Sequence, residues 1–172
     1  MTVESLFLEF SAEKLTQLTS RIEACLAKLT AGQIWARGRA NENAIGNLVL
    51  HLGGNVRQWI VASLAGEIDN RDRDGEFAAQ GGPAAPELAA GLRDTVEKAV
   101  KIIRALDTAR LTRIYEIQNY PVSGVDVVYH VVEHFSQHSG QIIFATKMLT
   151  GEDMGFYRHL SSATHPGFEG KP

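Results

Sequence analysis

The sequence predicts an all-α protein, a four-helix bundle formed by a single domain that spans residues 1–172. Four long stretches repeat apolar residues at the helical spacing of three and four positions, and almost no stretch alternates as a half-buried strand does. With 172 residues, 44% of them hydrophobic, the chain can bury one core. Amphipathic helices without strands favour a bundle, whose ligand site lies among side chains of facing helices.

The first two helices are predicted from about Glu4 to Leu29 and from about Asn43 to Gly66, with residues 30–33 breaking the pattern between them. Asn43 is a residue type that caps helix N-termini. Each stretch has one apolar stripe. The stripe residues are Leu8, Leu15, Leu18, Ile22 and Leu26 in the first helix, and Ile45, Leu48, Val49, Leu52, Val56, Trp59 and Ile60 in the second.

A long polar connection follows, from Glu67 to the third helix, which is predicted from about Pro86 to Leu106. Connections of this length are often functional or cross between distant helices. We interpret Arg57, Arg71 and Arg73 as part of a solvated mixture of charges with Asp72 and Asp74. The alternative is that these three arginines hold an anionic substrate or cofactor.

Residues 113–122 are expected to be briefly extended before the fourth helix, which has the clearest boundaries. Ser123 followed by Asp126 resembles a capping box. An apolar pattern then continues to Leu149, and Gly151 supplies a C-terminal stop. A short C-terminal extension completes the chain.

His130, His134 and His138 are spaced four residues apart on this fourth helix. At about 100° per residue, His138 lies roughly 20° and His134 roughly 60° from the buried direction, whereas His130 lies roughly 100° away. Three histidines in a row on one straight helix cannot readily bind the same ion. The inward-facing pair is therefore His134 and His138. The apolar residues Val131, Phe135, Ile142 and Leu149 define this buried direction.

A single histidine on an apolar face is more often a hydrogen-bonded core residue than a metal ligand. Two neighbouring imidazoles in a core both need partners, and protonating one places charge beside the other. A shared cation satisfies both requirements, so the pair favours metal binding. A metal at this pair requires a third ligand from elsewhere.

His51 is the best candidate for the third ligand, since His159 and His165 lie in the tail. On periodicity alone it could equally be a solvated residue at the flank of the second helix. Gly53 and Gly54 follow it, and each costs a helix about 1 kcal/mol relative to alanine. Close approach of another backbone or of a ligand would explain them.

Two other metal sites were considered. Residues 130–134 match the H-x-x-E-H pattern of inverted zinc proteases, with Glu133 as general base. That site also needs a downstream carboxylate, and Glu133 is predicted to face solvent, so this interpretation is disfavoured. A di-iron site requires Glu-x-x-His pairs, none of which occurs.

Residues 50–58 and the H-x-x-x-H-x-G-Q run that begins at His134 resemble the two motifs of the DinB-like superfamily of proposed metalloenzymes. Residues 71–77 and 147–153 resemble an uncharacterised branch of that superfamily. The resemblance implies a four-helix bundle with one divalent ion, zinc or nickel, and with His51, His134 and His138 as ligands. It also implies a cytoplasmic homodimer. His130 is outside the ligand pattern and is interpreted as a residue at the rim.

Three protein ligands leave a coordination position for water or substrate, which is typical of catalytic zinc sites. By resemblance, the leading function is transfer of a low-molecular-weight thiol to a small-molecule substrate. A metal-dependent hydrolase and a non-catalytic metal-binding module are the alternatives, so the sequence leaves open whether the protein is an enzyme. No general base is identified. Gln141 and Asn55 are polar neighbours, each either a surface amide or a substrate contact.

The net charge and the apolar composition indicate which classes of binding partner are disfavoured. The net charge of −3 favours neither nucleic acid nor anionic lipid. No window has the roughly 18 apolar residues of a membrane span. Cys25 is the single cysteine, which fits a reducing cytoplasm, and it is expected to be a small core residue.

Overall fold

The computed structural model describes residues 2–39 and 41–160. Most of these residues are helical, which confirms the all-α prediction in its broad form, and they include one small two-stranded sheet. The α-helices are α1 (Val3–Leu26), α2 (Ala31–Trp35), α3 (Ile45–Val56), α4 (Ser63–Ala65), α5 (Arg73–Ala78), α6 (Ala85–Arg104), α7 (Thr108–Thr112) and α8 (Gly124–Thr150); the strands are β1 (Ile114–Ile117) and β2 (Tyr120–Ser123).

The core lies between the long helices. Helix α1 packs against α6 and α8, and α3 packs against the same two helices from the other side. A π-helical segment, Arg57–Ala62, joins α3 to α4, so that the second predicted helix is one continuous helical stretch that ends at Gly66 in a left-handed conformation. The largest fully buried side chains include Leu15, Ile22, Leu26, Leu52, Ile60, Ile103, Phe135 and Ile142.

Helix α8 begins and ends where the sequence predicts. The Ser123 side chain accepts a hydrogen bond from the Asp126 backbone N–H, and the Asp126 carboxylate accepts one from the Ser123 N–H at 2.9 Å. Gly151 ends the helix with φ +69°. Leu149, which had been assigned to the buried stripe, is instead 43% exposed because it lies in the last turn of α8, beyond the core.

The predicted start of the second helix is wrong by one residue. Its N-cap is Ala44, and the Asn47 side chain accepts the hydrogen bond from the Ala44 N–H at 3.0 Å. The predicted break at residues 30–33 contains the short helix α2, capped by Thr30. The extended segment is a β-hairpin whose turn residues, Gln118 and Asn119, both have positive φ, as a two-residue type I′ turn requires.

The long connection contains α5, which the sequence did not predict. Asp72 caps this helix by accepting a hydrogen bond from the Gly75 N–H at 2.9 Å. Asn47 of α3 donates to the carbonyl oxygens of Glu76 at 2.9 Å and Ala79 at 2.8 Å. These bonds fix α5 against α3, on the side of α3 that carries His51.

None of the helices among residues 2–39 and 41–160 combines the length and apolar character that crossing a membrane requires. The described part of the C-terminal extension ends in a 3₁₀ turn, Arg158–Leu160, in which His159 is exposed. His165, the other histidine of the tail, lies outside the described residues.

Candidate metal centre

The structure brings together the three histidines that the sequence analysis selected. His51 comes from α3, and His134 and His138 come from successive turns of α8. One ring nitrogen from each lies within 4.8 Å of the other two, and no fourth His, Cys, Asp or Glu of the described residues joins the group. The Nε2 atoms of His51 and His134 are 3.0 Å apart. The rings therefore converge on a common point from two helices.

His51 is 5% exposed, so the alternative of a solvated flank residue is wrong. Its ring lies 4.5 Å, between centroids, from the Phe77 ring of α5. The side of α3 that looked exposed on a helical wheel is covered by α5. Periodicity within one helix could not show this cover.

His130 stays outside the group. Its ring stacks on Trp59 of the π-helical segment with 3.9 Å between centroids, and its Nε2 lies 3.4 Å from Nδ2 of Asn55. Glu133 is exposed, as predicted. The geometry therefore does not support the inverted-protease site, which needs His130 and His134 as a pair with Glu133 beside them.

Three polar side chains contact the outer ring nitrogens of this group. Oε2 of Glu76 and Nη2 of Arg71 each lie 3.0 Å from Nδ1 of His51. Gln141 Oε1 lies 2.7 Å from Nδ1 of His138 and can accept a hydrogen bond from it. In both histidines the Nδ1 atom is engaged, which leaves Nε2 to face the centre of the group.

Arg71 contacts both His51 and Glu76. It donates to Glu76 from Nε to Oε1 at 2.8 Å and from Nη2 to Oε2 at 2.9 Å. The side chains of Arg71 and Glu76 are only 3% and 10% exposed. The interpretation as a solvated charge is therefore wrong for Arg71, although Arg57, Asp72, Arg73 and Asp74 are exposed.

Sequence reasoning missed Glu76, since nothing in its neighbourhood distinguishes it from the other charges of the connection. The available signal was Gly54. A Cβ on Gly54 would overlap the Glu76 carboxylate and lie 3.0 Å from Nε of Arg71, whereas a Cβ on Gly53 would meet only Leu92 at 4.0 Å. The close approach expected at the glycine pair is thus real for Gly54, and the approaching group is a side chain.

Burial favours the neutral form of the two histidines of α8. It is the main cause that lowers the pKa of His134 to about 3, and repulsion from the neighbouring histidines contributes to the same shift. Burial also lowers the pKa of His138 and of His130. For Glu76, burial alone would raise the pKa, but hydrogen bonds from His51 and Arg71 and the charge of Arg71 bring the pKa below its usual value. At neutral pH, His134 and His138 are neutral imidazoles with free lone pairs.

Three buried polar atoms close to the histidines have no hydrogen-bond partner among the described residues: Nδ1 of His134, Oδ1 of Asn55 and Nε1 of Trp59. Asn55 is 4% exposed, so it is not the surface amide that one alternative proposed. Gln141 is exposed, yet it also contacts a ligand candidate.

Comparisons with known proteins identify a family and a solved structure of similar fold. A family model described as "Protein of unknown function (DUF1572)" matches residues 2–163. A solved structure, described as the conserved protein of locus from Enterococcus faecalis, matches with a TM-score of 0.70 and 17% sequence identity, and the match covers 88% of this chain and 99% of that chain. At this identity the likeness shows the fold alone. No curated protein matches the chain.

Proposed function

We propose that this chain, which belongs to the DUF1572 family of proteins of unknown function, is a metalloenzyme that holds one divalent ion through His51, His134 and His138. The distance of 3.0 Å between Nε2 of His51 and Nε2 of His134 carries the proposal. Ligand nitrogens of a tetrahedral zinc site lie about 3.3 Å apart. Two ring nitrogens this close must share either a proton or a metal cation. A ring nitrogen of His138 lies within 4.8 Å of both, and a metal ion can bind all three nitrogens, so the cation is favoured.

The donor set fits such an ion. Neutral imidazoles suit zinc, nickel and other first-row metals, and the depressed pKa values of His134 and His138 keep their nitrogens available. Zinc or nickel is the proposed metal, on the resemblance to the DinB-like superfamily. Three ligands from the protein leave a position for substrate, whereas structural zinc sites are usually closed by four.

We propose transfer of a low-molecular-weight thiol to a small-molecule substrate as the reaction class, with the resemblance to DinB-like enzymes as its basis. When bound, the ion would act as a Lewis acid that holds the thiol as thiolate. Hydrolysis is the weaker candidate, because it usually needs a free general base. Glu76 is the carboxylate that contacts the histidines, and both its oxygens are already engaged.

The resemblance extends the proposal to the whole molecule. We interpret α1, the stretch from α3 to α4, α6 and α8 as a four-helix bundle of the DinB-like kind. A cytoplasmic homodimer is the accompanying proposal for its assembly. Light scattering on the purified protein measures that assembly: a mass of twice 18.8 kDa is expected, and a mass equal to 18.8 kDa contradicts it.

Metal content tests the site directly. Wild type and the variants His51→Ala, His134→Ala, His138→Ala and His130→Ala are loaded with zinc, freed of excess ion and analysed for bound metal. One equivalent is expected in wild type and in the His130→Ala control, and little in the other three. Metal that survives the loss of His138 but not of His130 contradicts the site, and a wild type without metal contradicts the function.

Cobalt-loaded protein tests the reaction class. Adding a low-molecular-weight thiol should produce a thiolate-to-cobalt charge-transfer band if the thiol occupies the position that the three histidines leave. The same addition to His138→Ala provides the control. A wild-type spectrum that a thiol leaves unchanged would contradict thiol transfer and leave the metal site itself standing.

A further inference from the structure

We infer that Glu76, clamped by Arg71, is a positioning residue that fixes His51 with its proton on Nδ1 and its lone pair on Nε2, facing His134. The inference deepens the proposed function and rests on it. Glu76 and Arg71 both lie in the connection between α4 and α6. This connection contains none of the three histidines, but it would hold one of them in place. Three features of the structure support the inference: the contact of Glu76 with His51, the hydrogen bonds from Arg71 to Glu76, and the space left by Gly54.

The contact to His51 determines its tautomer. Nδ1 of His51 has two polar neighbours at 3.0 Å, Oε2 of Glu76 and Nη2 of Arg71. Nη2 carries two hydrogens, and it directs them to Oε2 of Glu76 at 2.9 Å and to the His51 carbonyl at 3.4 Å. A carboxylate can only accept hydrogen bonds, so the contact with Glu76 places the proton on Nδ1. The Nε2 atom then presents a lone pair, 3.0 Å from Nε2 of His134. Metal-bound histidines commonly donate their other N–H to a carboxylate, which fixes the ring and makes it a better ligand.

Arg71 holds the carboxylate in place. Its two bonds to the two oxygens of Glu76 form a bidentate pair, the arrangement with the strongest directional preference. The guanidinium also donates from Nη1 to Gln58 Oε1 at 3.0 Å and from Nη2 toward the His51 carbonyl at 3.4 Å. Arg71 is thus tied to the helix that carries His51, and Glu76 has little freedom to turn away.

Gly54 makes the approach possible. The Glu76 carboxylate lies so close to the α3 backbone that any side chain at position 54 would displace it. Gly53 next to it has no such neighbour, since an added Cβ would make one ordinary contact with Leu92. The two glycines therefore form a matched pair: alanine at either position raises helix propensity equally, but only Gly54→Ala moves Glu76.

The first experiment observes the tautomer in metal-free protein. Long-range nitrogen–proton correlation spectra, assigned with the His51→Ala variant, should show His51 with its proton on Nδ1 in wild type and in Gly53→Ala. Glu76→Ala and Gly54→Ala should show the proton redistributed between the two nitrogens. Glu76→Gln retains an acceptor oxygen and should restore the wild-type tautomer. A Glu76→Ala spectrum with the wild-type tautomer overturns the inference.

The second experiment measures zinc affinity by competition with a chromophoric chelator. Glu76→Ala and Gly54→Ala should bind zinc roughly 10–100-fold more weakly than wild type, and Gly53→Ala should bind as wild type does. Thermal unfolding of the same metal-free proteins is measured alongside. A Glu76→Ala protein that loses stability but keeps both its zinc affinity and its tautomer assigns Glu76 a merely structural role and overturns the inference.

The two readouts separate the inference from the proposed function. If wild type binds no zinc and yet shows the tautomer that Glu76→Ala loses, the metal function fails and the positioning of His51 by Glu76 stands. If wild type binds zinc and neither Glu76→Ala nor Gly54→Ala changes the tautomer or the affinity, the metal function stands and the inference fails.

Discussion

Cys25 is a single residue whose environment bears on the proposed chemistry. Its side chain is fully buried in α1, as the sequence predicts, and burial raises the pKa of its thiol despite an opposing hydrogen bond from Thr146. The thiolate is the reactive form, and each unit of pKa changes its fraction about tenfold. Cys25 is therefore unsuited to act as a nucleophile, and a thiol reaction at the histidines needs an added thiol.

This predicts slow alkylation of the native protein. With iodoacetamide near pH 8, Cys25 should react at least about tenfold more slowly in native protein than in protein unfolded in guanidinium, because unfolding removes both the burial and the raised pKa. Mass spectrometry of quenched samples measures the two rates. Equal rates would show that α1 exposes its thiol in the native state.

Individual site residues differ in how far the sequence could identify them. His134 and His138 could be predicted because the period of one helix relates them to the apolar side chains around them. His51 could not be derived from its own helix, because the cover over it comes from Phe77, 26 residues further along the chain. Elimination of the tail histidines made His51 the best candidate and the resemblance favoured it further, but neither argument identified Glu76.

At the scale of elements, α8 could be predicted from local sequence signals, whereas α5 could not. The boundaries of α8 depend on local signals, the Ser123 cap and Gly151, which can be read from the sequence. The position of α5 depends on distant contacts: Asn47 binds two of its carbonyl groups, and Arg37 donates to the carbonyl groups of Phe77 and Ala79. Because contacts with distant residues stabilise α5, its polar sequence by itself looks like a loop.

These contacts predict the effect of Asn47→Ala. Removing a fully buried amide that satisfies two carbonyl groups should destabilise the protein by about 1–3 kcal/mol. It should also speed hydrogen exchange at residues 72–79 and weaken zinc binding, because Glu76 loses its support. Asn70→Ala, at an exposed position of the same connection, is the control. Exchange at residues 72–79 that is the same in both variants would show that α5 is held by other contacts.

At the scale of the whole molecule, the apolar periodicity predicted the four long helical stretches, since each buries one face against the others. It missed α2 and α5, which are too short for a period to show. Periodicity is likewise limited to long helices in what it can predict of the candidate site. Long helices place His134 and His138, whereas His51 and its carboxylate partner become a site only after α3, α5 and α8 have packed together.

The candidate site joins α3 to α8, so its occupation should stabilise the whole fold. An ion that binds the native state alone raises the free energy of unfolding by about 2.7 kcal/mol when its free concentration is 100 times Kd. The melting temperature should therefore rise as zinc is added to metal-free wild type and fall again with a chelator. Glu76→Ala should need more zinc for the same rise, because its Kd is larger, and His138→Ala should show none. A wild-type melting temperature that is independent of zinc would mean that the three histidines converge without holding the ion in the native state.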